Sequence, residues 1–327
     1  MQAIRQHEAG GPLTIETIAV PSPGPGEVLI RMFAAPINPS DLAMLKGSYL
    51  SRPYPFTPGL EGSGTVLGSG GGILAGMRSG KRVACSPNPG KDGTWAEYLV
   101  TSALRTVPLP AKIDHMQGAM MLVNPMTAMA FLKLAREGKH RALVNNAAAS
   151  ALGKMLGRLC AQYNIPLINI VRNKAQLELL KETGEKYILN SKETDFEKKL
   201  EKLAAELNAT LFLDAVTGPQ TSVLLRAAPR GATILTYARL SGEPMDLDPA
   251  MFINEEKLLL GFQLGNWLQH KSLIFKLKFT GQVKKHMQTL LTSQINQTFT
   301  LDQVQKALDL YKSEMSAGKV LLIPPPL

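Results

Sequence analysis

From residue 142 onward the chain alternates between short apolar segments and segments of helical period, and this alternation narrows the choice of folds sharply. ALVNNA (142–147) is an apolar run closing on small residues, and GKMLGRLCAQYN (153–164) has helical spacing. The series continues with PLINIVRN (166–173), KAQLELLKETG (174–184), KYILN (186–190) and a polar amphipathic stretch at 194–207. TLFLDAVTG (210–218), a helix at 219–228, GATILTYA (231–238) and KLLLGFQL (257–264) complete it. Strands joined through helices run parallel, with right-handed crossovers, and a parallel sheet must be covered on both faces. The expected fold class is α/β, with a Rossmann-type doubly wound parallel sheet.

The N-terminal third reads differently. EVLIRMFAA (27–35), GSGTVLGSG (62–70) and RVACS (82–86) are short apolar segments set apart by Gly and Pro clusters such as PSPGPG (21–26) and PNPGKDG (87–93), the pattern of a β-rich domain with long loops. DHMQGAMMLVNPMTAMAFLKLAREG (114–138) has helical spacing and predicts two helices broken at Pro125. Further helices are expected at 268–292 and 301–315, then a strand at KVLLIP (319–324) that returns to the N-terminal domain. With 327 residues there is enough chain for two cores. The expected division is 1–120, 121–264, and 265–327 returning to the first domain.

Several function classes are disfavoured by composition. The two cysteines, Cys85 and Cys160, form no CxxC pattern, and the five histidines lack helix-borne metal spacing. No apolar run approaches the roughly 20 residues of a membrane span. The start, MQAIRQHEAG, lacks a secretion signal, so a cytoplasmic protein is expected, or one of an organellar matrix if a targeting segment was removed. The formal charge of +10 suits nucleic acid, a phosphorylated cofactor or an acidic carrier protein, but no basic stretch is interleaved with aromatics as a nucleic-acid platform would be.

The turn NNAAASALG (145–153) joins the first expected strand of the sheet to its helix, where a dinucleotide pyrophosphate would meet backbone N–H groups and the positive end of a helix dipole. Of the three glycines in G-x-G-x-x-G only Gly153 remains, and alanines stand in for the others. At the end of the second strand, where NAD-binding chains carry an acidic residue, the sequence reads Val171-Arg172-Asn173-Lys174. Arg172 and Lys174 therefore predict NADPH, its 2′-phosphate replacing a ribose hydroxyl; the plain alternative is two solvated loop cations.

AAPINPSDLAMLKGSY (34–49), PGLEGSGTV (58–66), GKRV (80–83), GTWAEYLV (93–100), VNPMTA (123–128) and LLLGFQLGNWL (258–268) resemble, in order and spacing, the zinc-free quinone reductase and 2-enoyl thioester reductase branch of the medium-chain dehydrogenase/reductase superfamily. That resemblance implies a GroES-like catalytic domain beside the Rossmann domain, and a homodimer. Zinc-dependent relatives carry a cysteine ligand where this chain has Asn38 and a histidine ligand where it has Leu60, so no metal is expected. By the same resemblance Asn38, Thr127 and Thr217 would lie near the nicotinamide, and Ala149, Ser150, Ala151, Leu152 and Gly153 would line the pyrophosphate. Tyr237 would face the adenosine phosphate, Phe262 and Leu264 would flank the nicotinamide pocket, and Lys319 would approach a cofactor phosphate. Asn38 and Tyr49 are the expected catalytic residues, Tyr49 orienting or protonating the substrate; its alternative is a loop tyrosine packed on Pro53 and Pro55. Ala151 departs from the family glycine, and its methyl would crowd the pyrophosphate.

The activity implied is NADPH-dependent reduction of an enoyl thioester or enone. Quinone reduction on the same scaffold is the alternative. A non-catalytic nucleotide- or RNA-binding relative is the reading from a different class.

Overall fold

The computed structural model describes residues 1–49 and 52–326. Its strands are β1 (Gln2–Gln6), β2 (Leu13–Thr17), β3 (Glu27–Pro36), β4 (Gly62–Ser69), β5 (Arg82–Cys85), β6 (Tyr98–Ser102), β7 (Thr106–Pro108), β8 (Ala142–Asn145), β9 (Leu167–Val171), β10 (Tyr187–Asn190), β11 (Ala209–Asp214), β12 (Thr233–Thr236), β13 (Leu258–Gly261), β14 (Ile295–Thr300) and β15 (Lys319–Ile323). The chain divides into two compact units: unit 1 is Met1–Met126 with Phe279–Leu327, and unit 2 is Thr127–Lys278. No helix among the described residues is long and apolar enough to cross a membrane.

In unit 2 the sheet order is β10-β9-β8-β11-β12-β13, with every neighbouring pair parallel. Alternation along the strands sorts the core onto two faces. Val144, Ile168, Phe212 and Ile234 pack against Leu200, Ala204, Leu224 and Leu225 from the helices Phe196–Glu206 and Pro219–Ala227. Leu143, Leu167, Leu211 and Leu213 pack on the other face against Phe131, Leu152 and Leu156, carried by the helices Asn124–Glu137 and Ala151–Gln162. The order of strands reverses between β8 and β11, and in open α/β sheets ligands bind outside the carboxyl ends of the strands at such a point.

Unit 1 is built on a sheet of order β14-β15-β3-β4-β5-β7, with β6 also paired to β3. The tail strand β15 lies antiparallel to β3, with Leu321 opposite Pro36 and Leu322 opposite Ala35, and β14 adds to it in parallel.

Two expectations shift. The unit boundaries fall after Met126 and Lys278 instead of after residues 120 and 264. The segment 265–278 stays with unit 2 because its aromatics pack there: Trp267 lies 6.1 Å from Phe262 and 5.6 Å from Phe275, ring centre to ring centre. The Phe275 ring in turn sits under the Lys133 ammonium of the helix Asn124–Glu137. The two helices expected in 114–138 are His115–Ala119 and Asn124–Glu137, with Pro125 in the first turn of the second instead of at the break between them. Asn124–Glu137 begins one residue before it, and a missing N–H at the first turn costs no hydrogen bond.

Candidate active site

In unit 2, β8 ends at Asn145 and the chain turns through Ala147, whose φ of 51° is left-handed. Such a backbone costs an alanine on the order of 1–2 kcal/mol. The helix Ala151–Gln162 then starts under Ser150, whose side chain accepts from the Gly153 N–H at 3.1 Å. A Cβ on Gly153 would stand 2.3 Å from the Ala148 carbonyl oxygen, so only glycine lets this helix close onto the turn. Ala148, Ala149 and Leu152 are buried beneath it, while Ser150 and Ala151 remain partly exposed. Ala151 is the first helical residue, and its φ is not in the left-handed region. Its methyl is therefore compatible with the turn.

Across the switch point a polar bracket holds this turn to the one after β11. Asn146 donates to Asp214 Oδ1 at 2.6 Å and to Gln220 Oε1 at 3.2 Å, and accepts from the Ala215 N–H at 2.7 Å. Asp214 Oδ1 also accepts from the Val216 and Thr217 N–H groups at 3.0 and 2.9 Å, and Oδ2 from the Thr221 hydroxyl at 2.6 Å. A fully buried carboxylate with this many donors is well compensated. The bracket holds Thr217 and Gly218 at φ 62° and 65°, and a Cβ on Gly218 would meet Ser241 Oγ at 2.7 Å. Asn146 and Asp214 were not among the residues picked out in the sequence. Their signal is an Asn and an Asp closing the two strands that flank the switch point. Asn145 is also fully buried, and neither polar atom of its amide has a partner among the described residues, so a donor and an acceptor remain for a polar ligand.

Arg172 and Lys174 are exposed beyond the end of β9 and enter no ion pair among the described residues. Asn173 between them caps the helix Lys174–Glu182, accepting from the Gln176 N–H at 2.9 Å. Tyr237 and Phe262 both pack on Phe131, at 4.9 and 5.0 Å between ring centres, and burial pushes the Tyr237 hydroxyl pKa up. Leu264 opens the helix Leu264–Gln269, and Thr127 is buried in the first turn of Asn124–Glu137. Residues in this unit thus fit a dinucleotide: a turn packed tightly on its helix at Gly153, a helix N-terminus, and cations after the second strand.

Unit 1 holds a second polar cluster. Asn38, Asp41 and Glu61 are fully buried and Lys319 is 2% exposed. The Lys319 ammonium donates to Asn38 Oδ1, and Asn38 Nδ2 donates to Glu61 Oε1 at 3.1 Å. Both ends of the Asn38 amide thus have a partner inside the fold, and one N–H and one lone pair remain. Lys319 is hydrogen-bonded to Asn38 and lies in the field of Glu61 and Asp41. Burial pushes Lys319 down and Glu61 up, each opposed by attraction to the other. The second Glu61 oxygen accepts from the Leu122 and Val123 N–H groups at 2.8 and 2.9 Å. Asp41 Oδ2 accepts from the Asn38 N–H at 2.8 Å. Burial pushes Asp41 up to about 7. Tyr49, half-buried, follows the helix Pro39–Leu45; the adjoining residues 50 and 51 lie outside those described.

Zinc does not fit here. Asn38 and Leu60 stand at the ligand positions, a lysine ammonium supplies the local cation, and no three His, Cys, Asp or Glu side chains gather suitably among the described residues. Cys85 lies near Glu61, but burial and that carboxylate push its thiol pKa up, away from the thiolate a metal requires.

Residues 24–111 match the alcohol dehydrogenase GroES-like domain, and residues 151–277 the zinc-binding dehydrogenase family. A mitochondrial enoyl-[acyl-carrier-protein] reductase of Xenopus tropicalis is 28% identical over 268 residues, covering 80% of this chain and 75% of that protein. Among solved structures, a protein of Mesorhizobium loti described as an NADPH:quinone reductase is 32% identical, with a TM-score of 0.90 over 99% of this chain and 98% of its own. Another so described, from Bacillus thuringiensis, is 28% identical, with a TM-score of 0.88 over 98% of each chain. The chain belongs to the medium-chain dehydrogenase/reductase superfamily, and its fold is the GroES-like domain joined to a Rossmann domain.

Proposed function

We propose that this chain is an NADPH-dependent, zinc-independent reductase of an activated C=C bond, in an enoyl thioester or an enone. The observation that carries the reading is the turn between β8 and the helix Ala151–Gln162, closed by Gly153 and braced to the β11 turn through Asn146 and Asp214. Bound there, NADPH would supply a hydride. The chain's own residues bind and orient. Backbone N–H groups at the start of the helix Ala151–Gln162 would meet the pyrophosphate, and Arg172 and Lys174 would neutralise the 2′-phosphate, where a carboxylate would repel it. Reduction of an enoyl thioester at the β-carbon places negative charge on the thioester oxygen and α-carbon. Tyr49 is the residue assigned to donate a proton to that developing enolate. Asn38, whose amide is held by Lys319 and Glu61, keeps one N–H for a cofactor or substrate.

The likeness to the enoyl-[acyl-carrier-protein] reductase of Xenopus tropicalis favours the thioester. The second reading, a quinone reductase, is favoured by the two bacterial structures described as NADPH:quinone reductases. The non-catalytic reading rests on the loss of loop glycines and the basic surface, and NADPH binding without turnover of any substrate would favour it. A homodimer, in the cytoplasm or an organellar matrix, is the expected assembly. The deciding experiment is a steady-state panel of crotonyl thioester, simple enones and quinones with NADPH. The reading expects the thioester or enone to give the highest kcat/KM; turnover of quinones alone would replace it with the second.

A further inference from the structure

Between Glu256 and Asp302 the chain has no carboxylate and no arginine, yet it holds six lysines. This stretch includes the helix Leu273–His286, whose opening turns lie in unit 2. Leu273, Ile274 and Leu277 in those turns are 59%, 66% and 65% exposed, while Phe279 is buried. At 3.6 residues per turn the three fall within an arc of about 100°. Lys278 lies about 40° beyond Ile274 and Lys276 about 60° beyond Leu273, so a lysine flanks the stripe on each side. A stripe of this width ordinarily faces a core, and here it faces solvent. One exposed leucine needs no explanation, but a contiguous apolar patch rimmed by charge marks a contact surface.

The stripe is held in place from below. The Ser272 hydroxyl caps the helix, accepting from the Phe275 N–H at 3.2 Å. The Phe275 ring meets Trp267 edge-on at 5.6 Å, and the Lys271 ammonium lies 5.2 and 5.4 Å from the centres of the Trp267 and Phe275 rings. Lys133 also lies over Phe275, but Glu137 pairs with it at 2.8 Å. Lys271, Lys276 and Lys278 enter no ion pair among the described residues, so the face is apolar along its crest and cationic along its edges. The kind of cation selects the occupant. Protein interfaces are enriched in arginine and depleted in lysine, and nucleic acid asks for exposed stacking rings, whereas Trp267 and Phe275 are only partly exposed. A bilayer suits what is present: leucine and isoleucine enter beside the acyl chains, tryptophan sits at headgroup level, and flexible lysines reach anionic headgroups. We infer that residues 267–278 form a docking surface for an anionic lipid bilayer, against which the protein lies without crossing it. The contact does not depend on NADPH or on any substrate.

Cosedimentation with vesicles tests this, using phosphatidylcholine alone and an equal mixture of phosphatidylcholine and phosphatidylglycerol. Wild type should bind the mixed vesicles at least about tenfold more tightly than the neutral ones, and high salt should erase that margin. The triple variant Leu273→Ser, Ile274→Ser, Leu277→Ser should bind the mixed vesicles at least about tenfold more weakly. The double variant Lys276→Gln, Lys278→Gln should lose about tenfold or more on mixed vesicles and nothing on neutral ones. All five side chains lie at the surface, so both variants should melt as wild type does. Of the two tryptophans Trp95 is fully buried, so a blue shift of tryptophan emission on mixed vesicles reports Trp267 and should vanish in the triple variant. Absence of binding to mixed vesicles, or binding that the triple variant leaves unchanged, would overturn the proposal. A wild-type dimer in sedimentation velocity that the triple variant converts to monomers would make the stripe an interface between copies and overturn it as well. Turnover enters none of these measurements, so failure here and failure of the reductase reading are separate results.

Discussion

Gly153→Ala offers a test in which two physical effects carry opposite signs. At an ordinary interior helix position, alanine is favoured over glycine by about 1 kcal/mol. At Gly153 the added Cβ would sit 2.3 Å from the Ala148 carbonyl oxygen, 2.7 Å from its carbon and 2.8 Å from its Cα. All three atoms are backbone, so no side chain can swing aside. The helix and the turn must part by about 1 Å to restore contact at roughly 3.5 Å. Overpacking of this kind costs typically about 1–3 kcal/mol, and three immovable backbone contacts put this case in the upper half, so after the propensity gain the net effect is destabilising by roughly 1–2 kcal/mol. The same displacement moves the N–H groups that would hold the pyrophosphate. A misplacement near 1 Å is worth about a hundredfold where geometry is demanding, so NADPH binding should weaken at least tenfold. Thermal unfolding and fluorescence titration with NADPH measure the two effects independently. A Gly153→Ala variant of unchanged or raised melting temperature, binding NADPH as wild type does, would refute the close-packing argument.

Three further outcomes follow from named side chains. Arg172→Ala should weaken NADPH binding by about ten- to a hundredfold, the range for a hydrogen bond to a charged group, and leave NADH binding nearly unchanged; equal losses for both cofactors in parallel titrations would remove Arg172 from the 2′-phosphate. Tyr49→Phe should lower kcat on an enoyl thioester by roughly a hundredfold at nearly constant NADPH affinity, and wild-type rates on every substrate would return Tyr49 to a packing role. Burial raises Asp41 to about 7 from an ordinary value of 3.8, so the folded chain keeps a proton there that the unfolded chain releases. The stabilisation from that proton is complete below about pH 4 and is lost as pH rises toward 7, with a total on the order of a few kcal/mol. Asp41→Asn should therefore gain melting temperature relative to wild type between pH 5 and pH 8, and a difference that is flat with pH would show that Asp41 is ionised throughout.

The parallel sheet of unit 2 was readable because every strand from β8 to β12 is a short apolar run between helix-period segments, with β8, β9 and β11 mostly buried. Its limits were less so. Periodicity cannot show that Trp267 and Phe275 continue the aromatic packing begun by Phe131 and Phe262, and so the expected boundary fell 14 residues early, at 264 in place of 278. β1 and β2, which pair with each other, carried too little alternation to stand out from the surrounding loops. Within the site, the cofactor turn and the cations after β9 were visible as local motifs. The residues that brace them were not. Asn146 and Asp214 lie 68 positions apart, and each alone reads as a turn former. Asn38 and Lys319 are 281 positions apart, and a lysine in sequence reads as surface until the fold buries it.

The central claim is hydride delivery from NADPH to a polarised double bond without a metal, and isotope transfer tests it most directly. Wild-type protein, in the presence of a chelator, is incubated with crotonyl thioester and NADPH deuterated at the transferable position of the nicotinamide, and the product is analysed by mass spectrometry and NMR. The account predicts a saturated thioester carrying one deuterium at the β-carbon, formed at the rate at which NADPH is consumed. Protein that binds NADPH yet leaves the thioester unreduced, or that loses all turnover to the chelator, would contradict it.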